Sequence, residues 1–495
     1  MTRSEFSHRT RHGNIQKLKS TFWDVLVIGG GITGVGIARD AALRGLNVGL
    51  IEKNDFASGT SSKSSKLIHG GLRYLEDLKL KLVFEALSER NILRGMAPHL
   101  VQALEILFPI YQQGSSSFLK VHFGMWLYDL LALFRNVKLH KTYRSKSLLQ
   151  IEPSLTPERL QGGFLFYDSF SQDARLTLQI AVSAQEAGAT LSNYVKLLHF
   201  KKKGNQLCAA QVQDVLTHET FSIQAHHFVN ATGPWSNTVQ QLADTTNRKM
   251  VRPTKGIHLI FSKEKLPIHH ALLLEATDHR VFFIIPWGDH CLLGTTDTDY
   301  TGNLDEVYAT QDDVHYLLQS LNRYFPKHQI TPSDITSTYA GLRPLITEPQ
   351  EASYHVSREH GIIHHPCGLI SIVGGKLTTY RKMAQDVMDT ISNKPCRTAQ
   401  TPFSPIIRST IAYETFSRED LRYLLDHEMT LTLNDVMMRR TDFFLKSLDQ
   451  GKSKVPDIAH EMSLVFHWSS ERLAQEISAY QYQIELSQKW RNHLI

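Results

Sequence analysis

Three glycines, Gly29, Gly31 and Gly34, stand in the spacing G-x-G-x-x-G, and the acid Glu52 closes the next apolar run. Residues of these types at these positions can hold a dinucleotide. Gly29 permits a tight turn, Gly31 brings bare backbone up to a pyrophosphate, and Gly34 lets a helix pack closely on a strand. A carboxylate at Glu52 can accept hydrogen bonds from ribose hydroxyls. Its charge favours an unphosphorylated ribose, as in FAD or NAD, over that of NADP. A bare G-x-G-x-x-G is weak on its own, because a ligand-free glycine turn reads the same way.

The elements that must position these residues are legible around them. Val25, Leu26, Val27 and Ile28 are all apolar, as in a parallel strand covered on both faces. Residues 33–44 read as a helix whose N-terminus would point at the phosphate. "NVGLIE" supplies a second strand that ends in Glu52. Strand, glycine turn, helix, strand and terminal acid in one unit of about 30 residues make a dinucleotide site. The stretch that follows, "NDFASGTSSKSSKLIHGGLRYLE" (residues 54–76), is dense in Ser, Gly and Lys. It is longer than a plain strand-to-helix connection in an NAD domain requires. Its donors can wrap an extended ligand, which points to FAD.

The bulk composition narrows the class. A chain of 495 residues suggests two or three domains. Lys and Arg total 54 against 48 acids, a net charge of +6 that is too small to argue for nucleic acid. It suits an acidic substrate or an anionic membrane surface. Cys208, Cys291, Cys367 and Cys396 show no C-x-x-C spacing, so a reducing compartment is expected. His226-His227 and His364-His365 are sequential pairs without helical metal spacing, and no metal is read from them. Residues 1–20 are basic with no apolar run, which excludes a secretory signal and reads as a disordered basic tail. No run approaches the roughly 18 apolar residues of a membrane-spanning helix.

"GTSSKSSKLIHGGLRYLE" resembles the second FAD-contacting loop of the respiratory, FAD-dependent glycerol-3-phosphate dehydrogenases. "FLFYDSFSQDARL", "NATGPWS", "RPTKGIHLIF", "LLGTTDTDY", "GLRPL", "GGKLTTYRKMA" and "DVMMRRTDFFL" resemble the same family in the same order, from about residue 24 to the end. The resemblance implies an α/β fold: a discontinuous Rossmann-type FAD-binding domain, an α+β substrate cap domain and a helical C-terminal domain. The expected boundaries are 21–100, 166–251 and 346–396 for the FAD domain, 101–165 and 252–345 for the cap, and 400–495 for the helical domain. This last domain looks shorter than in many relatives, with residues 398–416 compressed. Ser417 with Asp420 reads as a capping box for its first helix.

The resemblance also implies the chemistry. Glycerol 3-phosphate would be oxidised at C2 to dihydroxyacetone phosphate, with FAD as cofactor and a membrane quinone taking the electrons. A phosphate clamp, a base and a hydride acceptor are needed, and the clamp converts phosphate binding into orientation at C2. Arg343 and Arg358 are expected to hold the phosphate, Arg73 and Lys376 to lie nearer the flavin, and His258 to be the base. His69 competes with His258, and Tyr74 can assist either. Besides Gly29, Gly31, Gly34 and Glu52, the cofactor is expected to meet Thr60, Ser61, Ser62, Val195, Gly233, Gly374, Gly375 and Thr378.

Residues 117–146 hold an apolar centre, "FGMWLYDLLALF", broken by Asp129 and flanked by Lys120, Arg135, Lys138, Lys141, Arg144 and Lys146. This fits an interfacial helix for an anionic lipid surface, placing the protein peripherally on the cytoplasmic face of the inner membrane. A core helix of the cap is the alternative. Rival functions are a glycerol-3-phosphate oxidase using oxygen, a flavoprotein sensor without turnover, and an amino-acid oxidoreductase. The oxidases carry an inserted segment not seen here. A sensor would not need the intact set Arg73, His258, Arg343 and Lys376, and a carboxylate substrate would not call for so many cations. No calcium loop D-x-[DN]-x-[DN]-G occurs, which points to a bacterial-type enzyme. Oligomeric state is not legible, with a homodimer the assembly considered.

Overall fold

The computed structural model describes residues 6–112, 114, 117–244, 249–347, 359–404 and 411–491. Its first layer is an eight-stranded sheet. Leu369–Gly374, Thr220–Asn230, Phe22–Ile28, Val48–Ile51 and Thr190–Ser192 run parallel in that spatial order. Val25 to Ile28 are buried on both faces, as an unbroken apolar run in a parallel strand demands. The helix Ile32–Leu43 leaves the first strand and lies among Asp173–Glu186 and Tyr380–Ile391, sharing one core with them. Gly34 makes this possible: a Cβ there would collide with the Gly29 carbonyl oxygen.

The expected disordered tail is not one over its described part. His8–Ser20 is a helix, opened by a capping box between Ser7 and Thr10. Its basic residues hid an amphipathic pattern. Ile15 and Leu18 pack against Trp23 and Leu26 on the sheet. Arg11, also buried, donates to both oxygens of Asp214 at 2.9 and 3.0 Å. The helix also meets the C-terminal domain, where His8 Nδ1 lies 2.9 Å from the Leu425 carbonyl.

The second layer is a ten-stranded, mostly antiparallel sheet. Its long pairs are Val101–Tyr111 with Leu160–Ser171 and Val251–Ser262 with Ile335–Ile346. The strand Leu160–Ser171 pairs along its whole length within this sheet, so the expected boundary at 165/166 falls inside one element. The helix Gln311–Asn322 covers one face through Leu317 and Leu321. On the other face, Ile260, Leu292 and Tyr339 share a core with Leu424, Phe443, Phe444 and Tyr480 of the helical C-terminal region.

Ser417 and Asp420 form the expected capping box at the start of Arg418–His427. The "DVMMRRTDFFL" stretch is not one regular helix. Leu433–Asp435 widens into a π-turn at Val436–Arg440, stops at Thr441 and resumes over Phe443–Lys446. The wide turn lets consecutive Arg439 and Arg440 both reach the buried Asp55. Two adjacent residues of a regular helix point about 100° apart and do not converge in this way.

Candidate active site

The cofactor cradle is assembled from loops at the carboxyl ends of the parallel strands, the position where open α/β sheets bind ligands. Glu52 is held by backbone: its Oε2 accepts from Gly30 N at 2.7 Å and its Oε1 from Asn54 N at 2.8 Å. Burial pushes its carboxyl up from the ordinary range, and these two N–H donors oppose that shift. Val195 N donates to the Glu52 carbonyl at 2.7 Å, so this expected cofactor contact is tied to the acid. Ser61 Oγ accepts from Ile32 N at 2.9 Å, at the N-terminus of the glycine-loop helix. Thr60 Oγ1 donates to the Leu342 carbonyl at 2.6 Å, linking this loop to the second sheet. Gly374 and Gly375 have φ of +73° and +83°, the left-handed region that favours glycine. They turn the chain toward Thr378, whose Oγ1 accepts from His69 N at 3.1 Å.

These loops and the second sheet enclose a cavity of about 960 Å³. Gly29, Gly31, Glu52, Thr60, Ser61 and Val195 line it, together with Gly233, Gly374, Gly375 and Thr378. Gly34 does not line it and acts through packing. Ser62 does not line it either; its hydroxyl turns back to the Gly59 carbonyl at 3.4 Å. The donors fit FAD. The cavity has dinucleotide dimensions, the helix N-terminus carries an oxygen acceptor on Ile32 N, and a backbone-held carboxylate stands at the ribose position.

His258, Arg73, Arg343 and Lys376 line the same cavity, as do His69 and Tyr74. Arg358 lies outside the described residues. His258 is 3% exposed and stacks on Tyr339, with ring centroids 4.7 Å apart at 16°. Its Nε2 lies 2.8 Å from Ser65 Oγ, and its Nδ1 is buried without a hydrogen-bond partner among the described residues. Burial holds the imidazole well below its usual range, with Arg343 and Lys66 adding to the effect. Arg343 donates to Asp297 Oδ1 at 3.1 Å, Thr295 Oγ1 at 3.1 Å and the Thr296 carbonyl at 3.0 Å. Lys376 Nζ sits 3.7 Å from the Tyr74 ring centroid, a close cation–π approach.

Several participants were not singled out from sequence. Asp297 aims Arg343, and Arg280 donates to the Asp297 carbonyl at 2.7 Å. Asp297 belongs to "GTTDT", a stretch noticed as a whole but not residue by residue. Ser65 and Tyr339 frame His258, and nothing in their spacing marks them. Lys63 lines the cavity, and burial with help from Arg439 brings its ammonium down to about 8, with Asp305 opposing. In the sequence it is one lysine in a Ser-rich loop.

A family model described as FAD dependent oxidoreductase matches residues 24–381, and one described as the C-terminal domain of alpha-glycerophosphate oxidase matches 377–473. The chain belongs to the FAD-dependent oxidoreductases, and FAD is its cofactor. A glycerol-3-phosphate dehydrogenase of Synechocystis is 34% identical across 95% of this chain and 98% of its own length. An aerobic glycerol-3-phosphate dehydrogenase of Staphylococcus aureus is 39% identical across 79% of this chain and 70% of its own. The solved glycerol-3-phosphate dehydrogenase of Bacillus halodurans, complexed with FAD, superposes with a TM-score of 0.81 at 29% identity, covering 97% of this chain and 98% of that one. Within its class the chain therefore falls among the FAD-dependent glycerol-3-phosphate dehydrogenases.

Proposed function

We propose that the protein oxidises sn-glycerol 3-phosphate to dihydroxyacetone phosphate and passes the electrons to a membrane quinone. The observation that carries this reading is the placement of Arg73, Arg343, Lys376 and His258 around the cavity that the cofactor loops enclose. The names of the relatives support the same substrate. In this reading Arg343, with its fork aimed by Asp297, binds the phosphate, since a planar guanidinium matches phosphate oxygens in pairs. Arg358 is assigned the same ligand by its motif.

Bound FAD supplies the acceptor for the C2 hydride. His258 takes the hydroxyl proton. With the Nε2 proton donated to Ser65, Nδ1 keeps its lone pair, and the buried ring stays neutral and ready to accept. Lys376 supplies positive charge where negative charge develops, and Arg73, which lines the same cavity, adds a contact to the bound substrate. Stacking on Tyr339 fixes the ring plane, so that placement contributes to the rate.

The acceptor reading rests on the surface. The helix Phe118–Leu131 buries Met125, Tyr128 and Asp129 and exposes its other face. Phe123 is 66% exposed, Trp126 49% and Leu130 53%. Leu78, Leu80 and Phe84, which sit at the start of the neighbouring helix Leu80–Met96, are exposed as well. Apolar side chains of this size, beside Lys120, Arg135, Lys138, Lys141 and Arg144, suit an anionic bilayer, which holds the protein peripherally on the inner membrane. No helix among the described residues is long and apolar enough to cross a membrane.

The test is anaerobic addition of glycerol 3-phosphate to FAD-loaded protein, followed by a soluble quinone analogue or oxygen. Flavin bleaching with fast reoxidation by quinone supports the full reading. Rapid peroxide formation would make it an oxidase, and no bleaching would sink the substrate assignment.

A further inference from the structure

The 70–74 loop carries Arg73 and Tyr74 to the cavity, and its seat is set by elements outside the cofactor sheet. Gly70 N donates to the Tyr128 hydroxyl at 3.0 Å and to Asp168 Oδ1 at 3.1 Å. A Cβ at Gly70 would stand 2.5 Å from that hydroxyl and would also strike Leu87. The loop is therefore wedged between the helices Leu80–Met96 and Phe118–Leu131. Tyr128 donates to Asp168 at 2.8 Å.

From Asp168 the polar contacts continue outward. Arg90 donates to Asp168 at 2.5 Å and to the Tyr167 carbonyl at 2.9 Å, and its other terminal nitrogen donates to the Asn136 side-chain oxygen. Asn136 Nδ2 donates to Asp129 Oδ1 at 2.6 Å. Asp129 Oδ2 accepts from His140 N at 3.1 Å and lies 2.8 Å from His140 Nδ1. The His140 ring meets Trp126 edge-on, with centroids 4.9 Å apart. The run is thus continuous from Gly70, between the cavity-lining His69 and Gly71, to Trp126 on the exposed apolar face. Apart from Trp126, all of its side chains are buried or nearly so except that of Asn136, which is partly buried.

Burying Asp129 and Arg90 is expensive unless every group is paired, and apolar residues of similar volume would stabilise the fold as well or better. A buried network of this kind fixes the relative positions of the groups it joins. It is not a proton path, because Arg90 stays charged and Asn136 carries no titratable proton.

We propose that the network Asp129–Asn136–Arg90–Asp168–Tyr128 positions the 70–74 loop relative to the apolar face, so that docking on an anionic bilayer tightens the hold on substrate. This rests on the reading of the cavity as a glycerol-3-phosphate site and of the face as a membrane-docking surface. Asp168 lines the cavity itself, whereas Asp129, Asn136, Arg90 and Tyr128 do not and act through Arg73 and Tyr74, which do.

The experiment compares full-length, FAD-loaded wild type with Tyr128→Phe and Asp129→Asn. Flavin reduction is followed against glycerol 3-phosphate concentration, with and without vesicles of phosphatidylethanolamine and phosphatidylglycerol. In wild type, vesicles lower the half-saturating concentration. Tyr128→Phe keeps the packing and loses one hydroxyl. It should raise half-saturation about three- to tenfold with the maximal rate and FAD content unchanged, a split that general unfolding does not produce. Asp129→Asn should co-sediment with vesicles like wild type, yet its half-saturation should no longer respond to them. If Asp129→Asn does not fold, Asn136→Ser breaks the same link and carries the same expectation. Wild-type half-saturation in Tyr128→Phe, or an undiminished vesicle response in the link variant, overturns the proposal. A wild type that glycerol 3-phosphate does not bleach, or that ignores vesicles altogether, overturns the underlying reading and the proposal with it.

Discussion

A histidine that takes a proton from an alcohol must be neutral when the alcohol arrives. Burial, with the charges of Arg343 and Lys66, keeps His258 neutral far below the usual imidazole range. The acid limb of the pH profile for flavin reduction should therefore show no step near 6.5, the ordinary histidine value. His258→Asn should slow reduction by about 10²- to 10⁴-fold in stopped-flow measurements while FAD absorbance remains. Lys63 gives a second prediction. The unfolded chain keeps its proton to 10.5 and the folded one only to about 8. Between those values the unfolded state binds more protons, so this lysine makes stability rise with pH across the window. Urea unfolding of FAD-free protein at pH 8 and pH 10 should show a smaller rise for Lys63→Met than for wild type. Both residues were visible as letters. What made them special, the Tyr339 face against His258 and, for Lys63, burial with the Arg439 charge beside it, comes from distant parts of the chain.

At the scale of elements, period and punctuation were readable wherever the local signal was strong. The glycine turn, its helix and the flanking strands lie within a residue or two of their expected ends. The 8–20 helix was missed because its apolar residues are few and its pairing partners lie far along the chain. Arg11 looks like tail charge until Asp214 is beside it. Arg11→Ala leaves a buried carboxylate with one ion-pair partner fewer and should cost about 3 kcal/mol in chemical denaturation. A tail without structure would lose nothing. The π-turn was missed for a similar reason. Helical spacing predicts a helix through Arg439 and Arg440, and only the single buried carboxylate of Asp55 shows why the helix widens.

For the whole molecule, the defining feature is a cavity between two sheets with an apolar face at some remove from it. Phe123→Asp with Trp126→Ser should cut binding to anionic vesicles by about tenfold or more in co-sedimentation, since each aromatic would leave some 1.5 to 3 kcal/mol of burial unrealised. Raising salt should weaken binding too, because exposed lysines are screened within about 8 Å at physiological ionic strength. Flavin content should stay as in wild type. The amphipathic segment was legible as apolar residues with a basic fringe. Which side chains face out was not, because that depends on Met125, Tyr128 and Asp129 turning inward against the cap.

The sequence by itself determined the cofactor class and the family. Phosphate-cradling turns and their flanking elements are local, so spacing encodes them directly, and the long motifs follow in a diagnostic order. Most of the residues it singled out line the cavity, since many of them sit in short glycine-rich loops with few conformational options. Only the tertiary structure decided that Ser62 turns away and Gly34 serves packing, that Asp297 aims Arg343, and that Asp129 reaches the 70–74 loop through Arg90. Those outcomes depend on burial and on pairs brought together from remote parts of the chain, and no local pattern carries that information.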